Sequence, residues 1–412
     1  MSTVASGACD VGLGFVGCPG CGATQEIPLL THGALARCAV CGTLLERTNG
    51  SSLTAGLAVS AATLVLLACA DLAPICRVDL LAASRESHIF SGAAVFWREG
   101  WPLPAVCVFL FAIAAPLARF GLLTASLALI EAGRRPPWLG RMFRHADGLT
   151  VWAMPEVLLL GLWVAYGRLH ALFEVRLEAG AAFLAAGAIG ALMTRALIDR
   201  RAVWRAISPD APPPRGEAIA CPACELLAPI TAAGSACPRC GDKLEPRAPE
   251  SLARTLALIC GGMVLYLPAN LLPMAATLQL GKLLPYTVLE GVRDLAQANL
   301  WGLAVLVFCA SFAIPLLKLA GLAWLIGTLR SRAPRALRVK TRVYGVIREI
   351  GRWSMVDIFA IASFAPLMQF GQLAGAQSMS GASAFLMVVV LTMLATDSFD
   401  PRLMWDRRLA RA

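Results

Sequence analysis

The longest uncharged stretch of the chain, residues 358 to 396, limits the possible folds most strongly. It contains no charged residue over 39 positions. As one helix it would be about 59 Å long at 1.5 Å per residue, whereas the hydrocarbon core of a bilayer is about 30 Å thick. The stretch therefore predicts a membrane hairpin, with its turn in the Gln/Gly/Ser-rich residues 369–383, and both ends of the hairpin face the same side.

The rest of the chain follows the same pattern of long apolar runs. Of its 412 residues, 58% are apolar and 15% are charged, whereas soluble domains average about 25% charged residues. This composition excludes an ordinary water-soluble protein and predicts an all-α polytopic membrane protein. A spanning helix needs about 20 apolar residues, and eight segments qualify: 54–76, 102–130, 149–170, 179–198, 253–277, 298–328, 353–371 and 382–399.

The basic residues predict the orientation of these spans, because short cytoplasmic loops retain Lys and Arg. The net charge is +10, and the charged residues lie between the apolar runs. Loop 131–148 contains four arginines and loop 330–352 contains eight basic residues. The loops on the opposite side share seven, among them Arg168. Residues 1–50 lack the apolar core of a secretory signal. We therefore expect both termini to be cytoplasmic; binding of the basic loops to anionic lipid is a secondary interpretation.

The sequence is internally duplicated. At an offset of 199, residues 71–74 match 270–273, Pro116 matches Pro315 and Arg119 matches Lys318. An even number of spans in each half predicts parallel repeats, related by a pseudo-two-fold axis along the membrane normal. The predicted units are a first ribbon at 1–50, a first four-helix repeat at 51–205, a second ribbon at 206–250 and a second repeat at 251–412.

Each repeat is preceded by a pair of CxxC knuckles. Two facing knuckles at this separation can close a tetrahedral four-cysteine site, so we expect one structural zinc ion in each ribbon. The alternatives are iron in a rubredoxin-like site and thiol redox chemistry, although redox motifs usually carry a single CxxC that opens a helix. The predicted ligands are Cys18, Cys21, Cys38 and Cys41 in the first ribbon, and Cys221, Cys224, Cys237 and Cys240 in the second.

Nucleic-acid binding by the ribbons is not expected. Their basic residues have no interleaved aromatic side chains on which bases could stack, and Phe15 is the one aromatic residue in either module. The chain also lacks a nucleophile elbow, a P-loop and an HExxH motif, so nothing in it predicts hydrolysis or ATP use, and we do not expect an enzyme.

Polar residues inside the spans are the other candidate functional residues, because an ionisable group in a span costs about 2.5–3.5 kcal/mol and usually faces a partner or water. One interpretation is that Lys318 with Asp357, and Arg119 with Glu156, are ion pairs that fix neighbouring helices. The other is that they line a polar cavity. Pro116 and Pro315 predict kinks beside the two cations. The candidates are Lys318, Asp357, Thr396, Asp397 and Asn270 in the second half, and Asp71, Arg119, Glu156 and Thr194 in the first, where Arg195 follows with the sign opposite to that of Asp397.

The combination of these motifs resembles the paraquat-inducible protein A family. The resemblance covers almost the whole chain and rests on the two ribbons, Asn270-Leu-Leu-Pro273, Pro315-x-x-Lys318, Trp353-Ser-Met355-Val-Asp357-Ile-Phe359 and Phe399-Asp-Pro401-Arg-Leu-Met-Trp405.

The resemblance implies an inner-membrane component of a system in which a periplasmic MCE-domain protein forms a tunnel and phospholipid or a similar amphiphile moves across the envelope. It maps Lys318, Asp357 and Thr396 onto a polar network, to which we add Asp397. The first half departs from the motif, since it has no counterpart of Phe359. The other functional classes are a zinc-ribbon membrane scaffold or signalling protein and a membrane thiol-redox enzyme.

Overall fold

The structure is a computed structural model that describes residues 13–28, 33–48, 50–80, 83–170, 174–210, 214, 216–279, 282–329, 334–368 and 374–406. Residues 369–373 of the predicted hairpin turn lie outside this set. Within it, eight helical segments are long and apolar enough to cross a membrane, which confirms the predicted number. These spans, 1 to 8 in order, are Leu53–Leu72, Pro102–Glu131, Leu139–His170, Ala179–Leu197, Ser251–Leu271, Trp301–Gly327, Ala336–Met368 and Ser380–Ser398.

The two halves of the chain share one order of elements. The helices of the first half are α1 (Leu53–Leu72), α2 (Ile89–Arg98), α3 (Pro102–Val108), α4 (Ala115–Glu131), α5 (Leu139–Gly148), α6 (Pro155–His170), α7 (Ala179–Leu197) and α8 (Arg200–Ile207). Those of the second half are α9 (Ser251–Leu271), α10 (Val288–Gln297), α11 (Trp301–Phe308), α12 (Ile314–Gly327), α13 (Pro334–Ile350), α14 (Val356–Phe364) and α15 (Ser380–Ser398). Short 3₁₀ helices precede α6 (Leu149–Val151), flank α14 (Gly351–Met355 and Ala365–Met368) and follow α15 (Pro401–Met404).

The second and sixth spans are distorted at matching places. Each contains a π-helical segment, Phe109–Ala114 or Cys309–Ala313, just before its proline. Because proline has no amide hydrogen, the carbonyl four residues earlier loses its usual donor and the helix widens there. The structure thus has a π-helical segment beside Pro116 and Pro315, where kinks were predicted, and Ser311 lies in the widened segment of span 6.

Short strands correct the all-α prediction. The ribbon strands are β1 (Leu13–Gly17), β2 (Thr24–Pro28), β3 (Leu35–Arg37), β4 (Leu44–Arg47), β8 (Ala218–Ala220) and β9 (Leu227–Pro229). Two antiparallel sheets of order β6-β5-β7 and β11-β10-β12 lie between spans, built from β5 (Cys76–Leu80), β6 (Ala83–Ser87), β7 (Glu174–Leu177), β10 (Ala275–Gln279), β11 (Lys282–Tyr286) and β12 (Ala374–Ser378). In each sheet the central strand pairs with a strand far away in sequence, as Cys76 does with Leu177, so local patterning gives little signal.

The two halves meet where α6 packs against α14. A Cβ added at Gly161 would lie 2.7 Å from the Cβ of Phe359, so only glycine allows the two helices to approach this closely. At the sheet end of the bundle, the indole Nε1 of Trp101 donates to the carbonyl of Ser378 at 3.0 Å, and the Ser378 amide donates to Glu99 at 2.9 Å. The halves therefore form one packed bundle rather than two separate ones.

Both predicted basic loops contain helices. Residues 139–148 form α5 and residues 334–350 form α13, and these helices make up the first parts of spans 3 and 7. In α13 the buried residues are Leu337, Tyr344 and Ile347 among others, a spacing that places them on one helical face. The expectation of a loop across 330–352 is therefore wrong over the described residues from 334.

Each ribbon packs against the half that follows the other ribbon. The guanidinium of Arg338 in α13 donates to the carbonyl of Val40 in the first ribbon at 2.8 Å. Arg144 in α5 pairs with Asp242 in the second ribbon at 3.1 Å, and a Cβ at Gly140 would overlap a carbonyl of that ribbon. The buried cysteines show the same crossed packing. Those of the first ribbon share a hydrophobic core with span 6 and α13, and those of the second ribbon share a core with helices of the first half.

Helix α8 ties the two ribbons together. Arg201 pairs with Glu46 of the first ribbon at 3.4 Å and with Glu225 of the second at 3.1 Å. Arg200 pairs with Glu225 at 2.8 Å and with Asp147 at 2.7 Å. Burial alone would lower the pKa of Arg200, but the charges of Asp147 and Glu225 raise it instead. The ribbons are thus held in a fixed position relative to each other and to span 3.

Candidate functional site

The first cysteine cluster is formed by two turns that face each other. Cys18 and Cys21 lie between β1 and β2, and Cys38 and Cys41 lie between β3 and β4. The glycine after each knuckle has φ of 79°, the left-handed conformation that glycine accommodates best. The Sγ atoms of Cys18 and Cys41 are 3.5 Å apart, and those of Cys21 and Cys38 are 3.6 Å apart.

The second cluster has the same geometry. The Sγ atoms of Cys221 and Cys240 are 3.5 Å apart, and those of Cys224 and Cys237 are 3.6 Å apart. Glu225 takes the place of a glycine after the knuckle and has φ of 60°, while its carboxylate pairs with α8. In both clusters the four sulfurs lie within 4.8 Å of one another and are buried.

These distances fit one tetrahedral metal ion in each ribbon. With metal–sulfur bonds of about 2.3 Å, the edges of a tetrahedron of thiolates are about 3.8 Å long. Mutual hydrogen bonding of the sulfurs, largest for the contact with Cys18, raises the pKa of Cys21 and lowers that of Cys41. Such a closed set of four ligands leaves no position for substrate, so the metal would hold the fold of the ribbon rather than take part in chemistry.

Lys318 lies in α12 with 2% of its surface exposed. Its ammonium group donates to the hydroxyl of Thr392 in span 8 at 2.9 Å. One turn further along span 8, the hydroxyl of Thr396 donates to the carbonyl of Thr392 at 2.8 Å. A Cβ at Gly351 would lie 3.2 Å from the Nζ atom, so the glycine leaves space for the lysine. Lys318 and Thr396 are thus both bonded to Thr392, Lys318 to its hydroxyl and Thr396 to its backbone carbonyl, but not to each other.

Asp357 is bonded elsewhere. It is buried in α14 and accepts a hydrogen bond from the hydroxyl of Ser311, in the π-helical segment of span 6. Within the described ranges no ion pair joins Lys318 to Asp357, and each has a hydroxyl partner of its own. The interpretation of these two residues as a direct ion pair is therefore wrong.

Asp397 and Asn270 lie at opposite ends of the second half. Asp397 lines a cavity of about 350 Å³ that also touches both ribbons and Arg348. Beside it, burial acts to raise the pKa of Asp400, but hydrogen bonds from Arg402 hold that pKa below its ordinary value. Asn270, near the sheet end of span 5, donates to the carbonyl of Tyr266 in its own helix at 2.8 Å, so Asn270 is not bonded to the lysine cluster.

The first half arranges its polar residues differently. Glu156 lies 3.0 Å from Arg195 and 3.5 Å from Arg352 of the second half. Arg119 donates to the hydroxyl of Thr150 at 3.1 Å, and Thr194 bonds to a carbonyl of its own helix. The direct pairing of Arg119 with Glu156 is absent among the described residues. Asp71 lies in the last turn of α1, at the sheet end, apart from this group.

Three residues of the second-half site were not singled out from the sequence. The hydroxyl groups of Ser311 and Thr392 bind the two buried charges, but serine and threonine are common in membrane helices and carry no distinguishing signal. Arg168 was counted as a loop residue, whereas it lies in α6 and lines a cavity of about 20 Å³ together with Asp357 and Tyr286. Its Cζ atom is 6.0 Å from the centre of the Tyr286 ring.

Comparison with known proteins gives consistent matches over almost the whole chain. The family described as "Paraquat-inducible protein A" matches twice, at residues 53–208 and 252–408. The "Intermembrane transport protein PqiA" of Escherichia coli is 31% identical over 404 residues, covering 95% of both chains. The "Lipophilic envelope-spanning tunnel protein A" of the same bacterium is 28% identical over 395 residues, covering 94% of this chain and 90% of its own.

A third relative, the "Probable intermembrane transport protein" of Haemophilus influenzae, is 26% identical over 402 residues, covering 94% of this chain and 95% of its own. No solved structure matches significantly. The relatives are named as transport proteins and not as enzymes. The double family match agrees with the two halves that share one order of elements, and the chain belongs to the paraquat-inducible protein A family.

Proposed function

We propose that this chain is the inner-membrane component of a system that moves phospholipid, or a similar amphiphile, across the bacterial envelope. The names of its relatives, which refer to intermembrane transport and to an envelope-spanning tunnel, support this function. A periplasmic MCE-domain protein is the proposed partner, as the family resemblance implies. The chain's own contribution is to pass the amphiphile between the bilayer and that partner.

The observation that carries the proposal is the burial of Lys318 and Asp357 in spans of the second half. A charged side chain in a span costs about 2.5–3.5 kcal/mol, and each of these two has only a hydroxyl as its hydrogen-bond partner among the described residues. Apolar residues would pack there more stably. We infer that Lys318, Asp357 and Thr396 form the polar network used in transport, with Asp397 and Asn270 towards its two ends and Asp71, Arg119, Glu156 and Thr194 as first-half counterparts.

The ribbons are proposed to bind zinc, one ion in each. The four sulfurs of each cluster lie at tetrahedral distances, and a fully thiolate site is typical of structural zinc. Elemental analysis of freshly purified protein should find about two zinc ions per chain. Iron in place of zinc, or disulfides with no metal, would contradict this assignment.

The two halves are proposed to be parallel repeats with both termini in the cytoplasm. The shared order of four spans in each half and the Lys/Arg bias support this orientation. The proposed units remain residues 1–50 and 206–250 for the ribbons and 51–205 and 251–412 for the membrane repeats. If the ribbons are cytoplasmic, both three-stranded sheets lie on the periplasmic side. There they would contact the proposed periplasmic partner.

The test combines lipid analysis with substitutions. Mass spectrometry of the purified full-length chain should find copurified phospholipid and a retained periplasmic partner. Lys318→Met and Asp357→Leu should each abolish lipid transfer to acceptor vesicles while the protein stays folded and keeps its metal. Lys340→Met is the matched control, because Lys340 is also a buried lysine but bonds to the carbonyl of Thr328, outside the spans' polar cluster.

Two outcomes are decisive. Loss of transfer in the two variants with an unchanged melting temperature supports a transport role. A double variant, Lys318→Met with Asp357→Leu, that is stable and still transfers lipid at the full rate would show that the buried charges are structural and would refute the proposal.

A further inference from the structure

The first half contains a polar cavity whose lining has an excess of positive charge. It has a volume of about 180 Å³ and lies between the spans at the end that faces the ribbons. Three arginines line it, Arg119, Arg195 and Arg200, whereas Asp147 is the single carboxylate among its lining residues. The cavity wall therefore carries a net charge of about +2, if each group has its ordinary charge.

Arg119 has no carboxylate partner within the described ranges. It is 5% exposed, its Nε atom donates to the Thr150 hydroxyl, and its Nη1 atom is buried without a hydrogen bond. Its Cζ atom also lies 4.7 Å from the centre of the Phe120 ring. A guanidinium group offers five donors, so most of the donors of Arg119 remain available to a ligand in the cavity.

The nearby carboxylates are already paired with other arginines. Glu156 lies between Arg195 and Arg352, and Asp147 binds Arg200 at 2.7 Å. Arg195 repels Arg119 electrostatically, whereas the carboxylates of Glu156 and Asp147 attract it without forming an ion pair with it. The side chain of Arg195 is 21% exposed, whereas Arg119 is buried, and a bound anion would stabilise a buried cation that has no carboxylate partner.

In the second half, the buried cation has an acidic residue of the same half nearby. There the counterpart of Arg119 is Lys318 and the counterpart of Arg195, at an offset of 202, is Asp397. Lys318 and Asp397 have opposite signs and attract each other. In the first half a second arginine takes this position. Glu156 pairs with Arg195, and Arg119 is left without a carboxylate partner among the described residues, so a bound anion would supply its counter-charge.

We propose that Arg119 and Arg195 bind a phosphate group in this cavity. Guanidinium groups match the oxygen geometry of phosphate and bind it with paired hydrogen bonds. Arg195 lies in the last turn of span 4, whereas Arg119 lies about three turns before the end of span 2. The phosphate can belong to a phospholipid headgroup or be free in solution, and the inference does not depend on which molecule the chain transports.

The test measures binding to the delipidated full-length chain in detergent, not transport. Native mass spectrometry would count bound short-chain phosphatidylglycerol, with the matching diacylglycerol as a probe that lacks phosphate. Inorganic phosphate would be tested by its effect on melting temperature. Arg119→Gln is the test variant because it keeps a polar side chain but removes the charge, and Arg134→Gln, an exposed arginine of the same half, is the control.

Wild type and Arg134→Gln should hold one more phosphatidylglycerol molecule per chain than Arg119→Gln, whose affinity at this site should fall at least about tenfold. Diacylglycerol should not bind there. Stabilisation by inorganic phosphate without a retained lipid would identify free phosphate as the ligand. Without any ligand, Arg119→Gln should melt no lower than wild type, because it removes a buried charge that has no carboxylate partner.

Equal phosphate binding by Arg119→Gln and wild type would overturn the proposal, as would no binding of either probe by wild type. An Arg119→Gln variant that melts lower with unchanged ligand binding would show instead that Arg119 stabilises the helix packing. Since none of these measurements involves lipid transfer, a failure here is distinct from a failure of the proposed function.

Discussion

At the scale of single residues, the environment of Asp357 is shared between the two halves of the molecule. The hydroxyl of Ser311 comes from span 6, while the cation that attracts the carboxylate is Arg168 of span 3. Arg168 and Asp357 line the same small cavity, which has room for about one water molecule. A buried carboxylate in a span needs such a counter-charge, so the second-half site is completed by a first-half residue.

Removing this counter-charge should impair the site. An opposite charge within about 6 Å changes the balance between the charged and neutral forms of a carboxyl group by tenfold or more. We therefore expect Arg168→Gln to reduce lipid transfer about tenfold, and Arg168→Lys to retain most of it. Vesicle-based transfer assays on folded protein would measure both. Arg293→Gln, an exposed arginine on α10, is the control, and equal losses in Arg168→Gln and Arg293→Gln would contradict the assignment.

The sequence predicted the buried charges but not their partners. Lys318 and Asp357 stand out because ionisable residues are rare inside apolar runs. Their hydrogen-bond partners depend on which faces of spans 6, 7 and 8 meet, and a hydroxyl residue in a membrane helix is not distinctive. Arg168 could not be assigned either, because a position near the end of an apolar run is also expected of a basic residue that reaches towards the interface.

At the scale of elements, the basic residues of α5 and α13 have a second role, which is to hold the ribbons. Arg144 and Arg338 bind the ribbons, in addition to the bias that they give to membrane orientation. The helical spacing of Leu337, Tyr344 and Ile347 was visible in the sequence, but the density of arginine favoured a loop. The three-stranded sheets had no comparable signal, because strands of four or five residues are below the length at which alternation is informative.

The crossed packing of the ribbons predicts which helix each of them protects. Cys21→Ser should open the first ribbon and increase hydrogen–deuterium exchange in α13 of the second half, with α5 unchanged. Cys224→Ser should do the reverse. The expected increase is about tenfold or more in amides of the uncovered helix, since the docked face loses its buried contacts. Exchange that rises in the half next to the mutated ribbon in sequence would contradict the crossed arrangement.

At the scale of the whole molecule, the number of spans and the duplication were both readable in advance. They depend on hydropathy over windows of about 20 residues, where the bilayer imposes one strong constraint. The placement of one half against the other was not readable. It depends on individual close contacts such as Gly161 with Phe359 and on the hydrogen bonds of Trp101 and Glu99 with Ser378, which pair residues more than 190 positions apart.

The proposed orientation can be checked with a membrane-impermeant thiol reagent. Arg342, in α13 near the start of span 7, and Gln377, in β12 just before span 8, are both exposed. The neighbouring Ser378 is buried and unsuitable. We expect a cysteine at Gln377 to be labelled from the periplasmic side and a cysteine at Arg342 only after the cytoplasmic side is opened. The reverse pattern would place the ribbons and the termini in the periplasm, against the Lys/Arg bias.

The contact between Arg338 and Val40 joins residues that are 298 positions apart. At about 5–20 residues per second, the ribosome needs roughly 15–60 s to make the helix on which the first ribbon rests. During that interval the ribbon has to persist with its docking face uncovered, because α13 does not yet exist. A chain whose synthesis stops before α13 cannot dock its first ribbon. A docked first ribbon therefore indicates that synthesis has continued through α13.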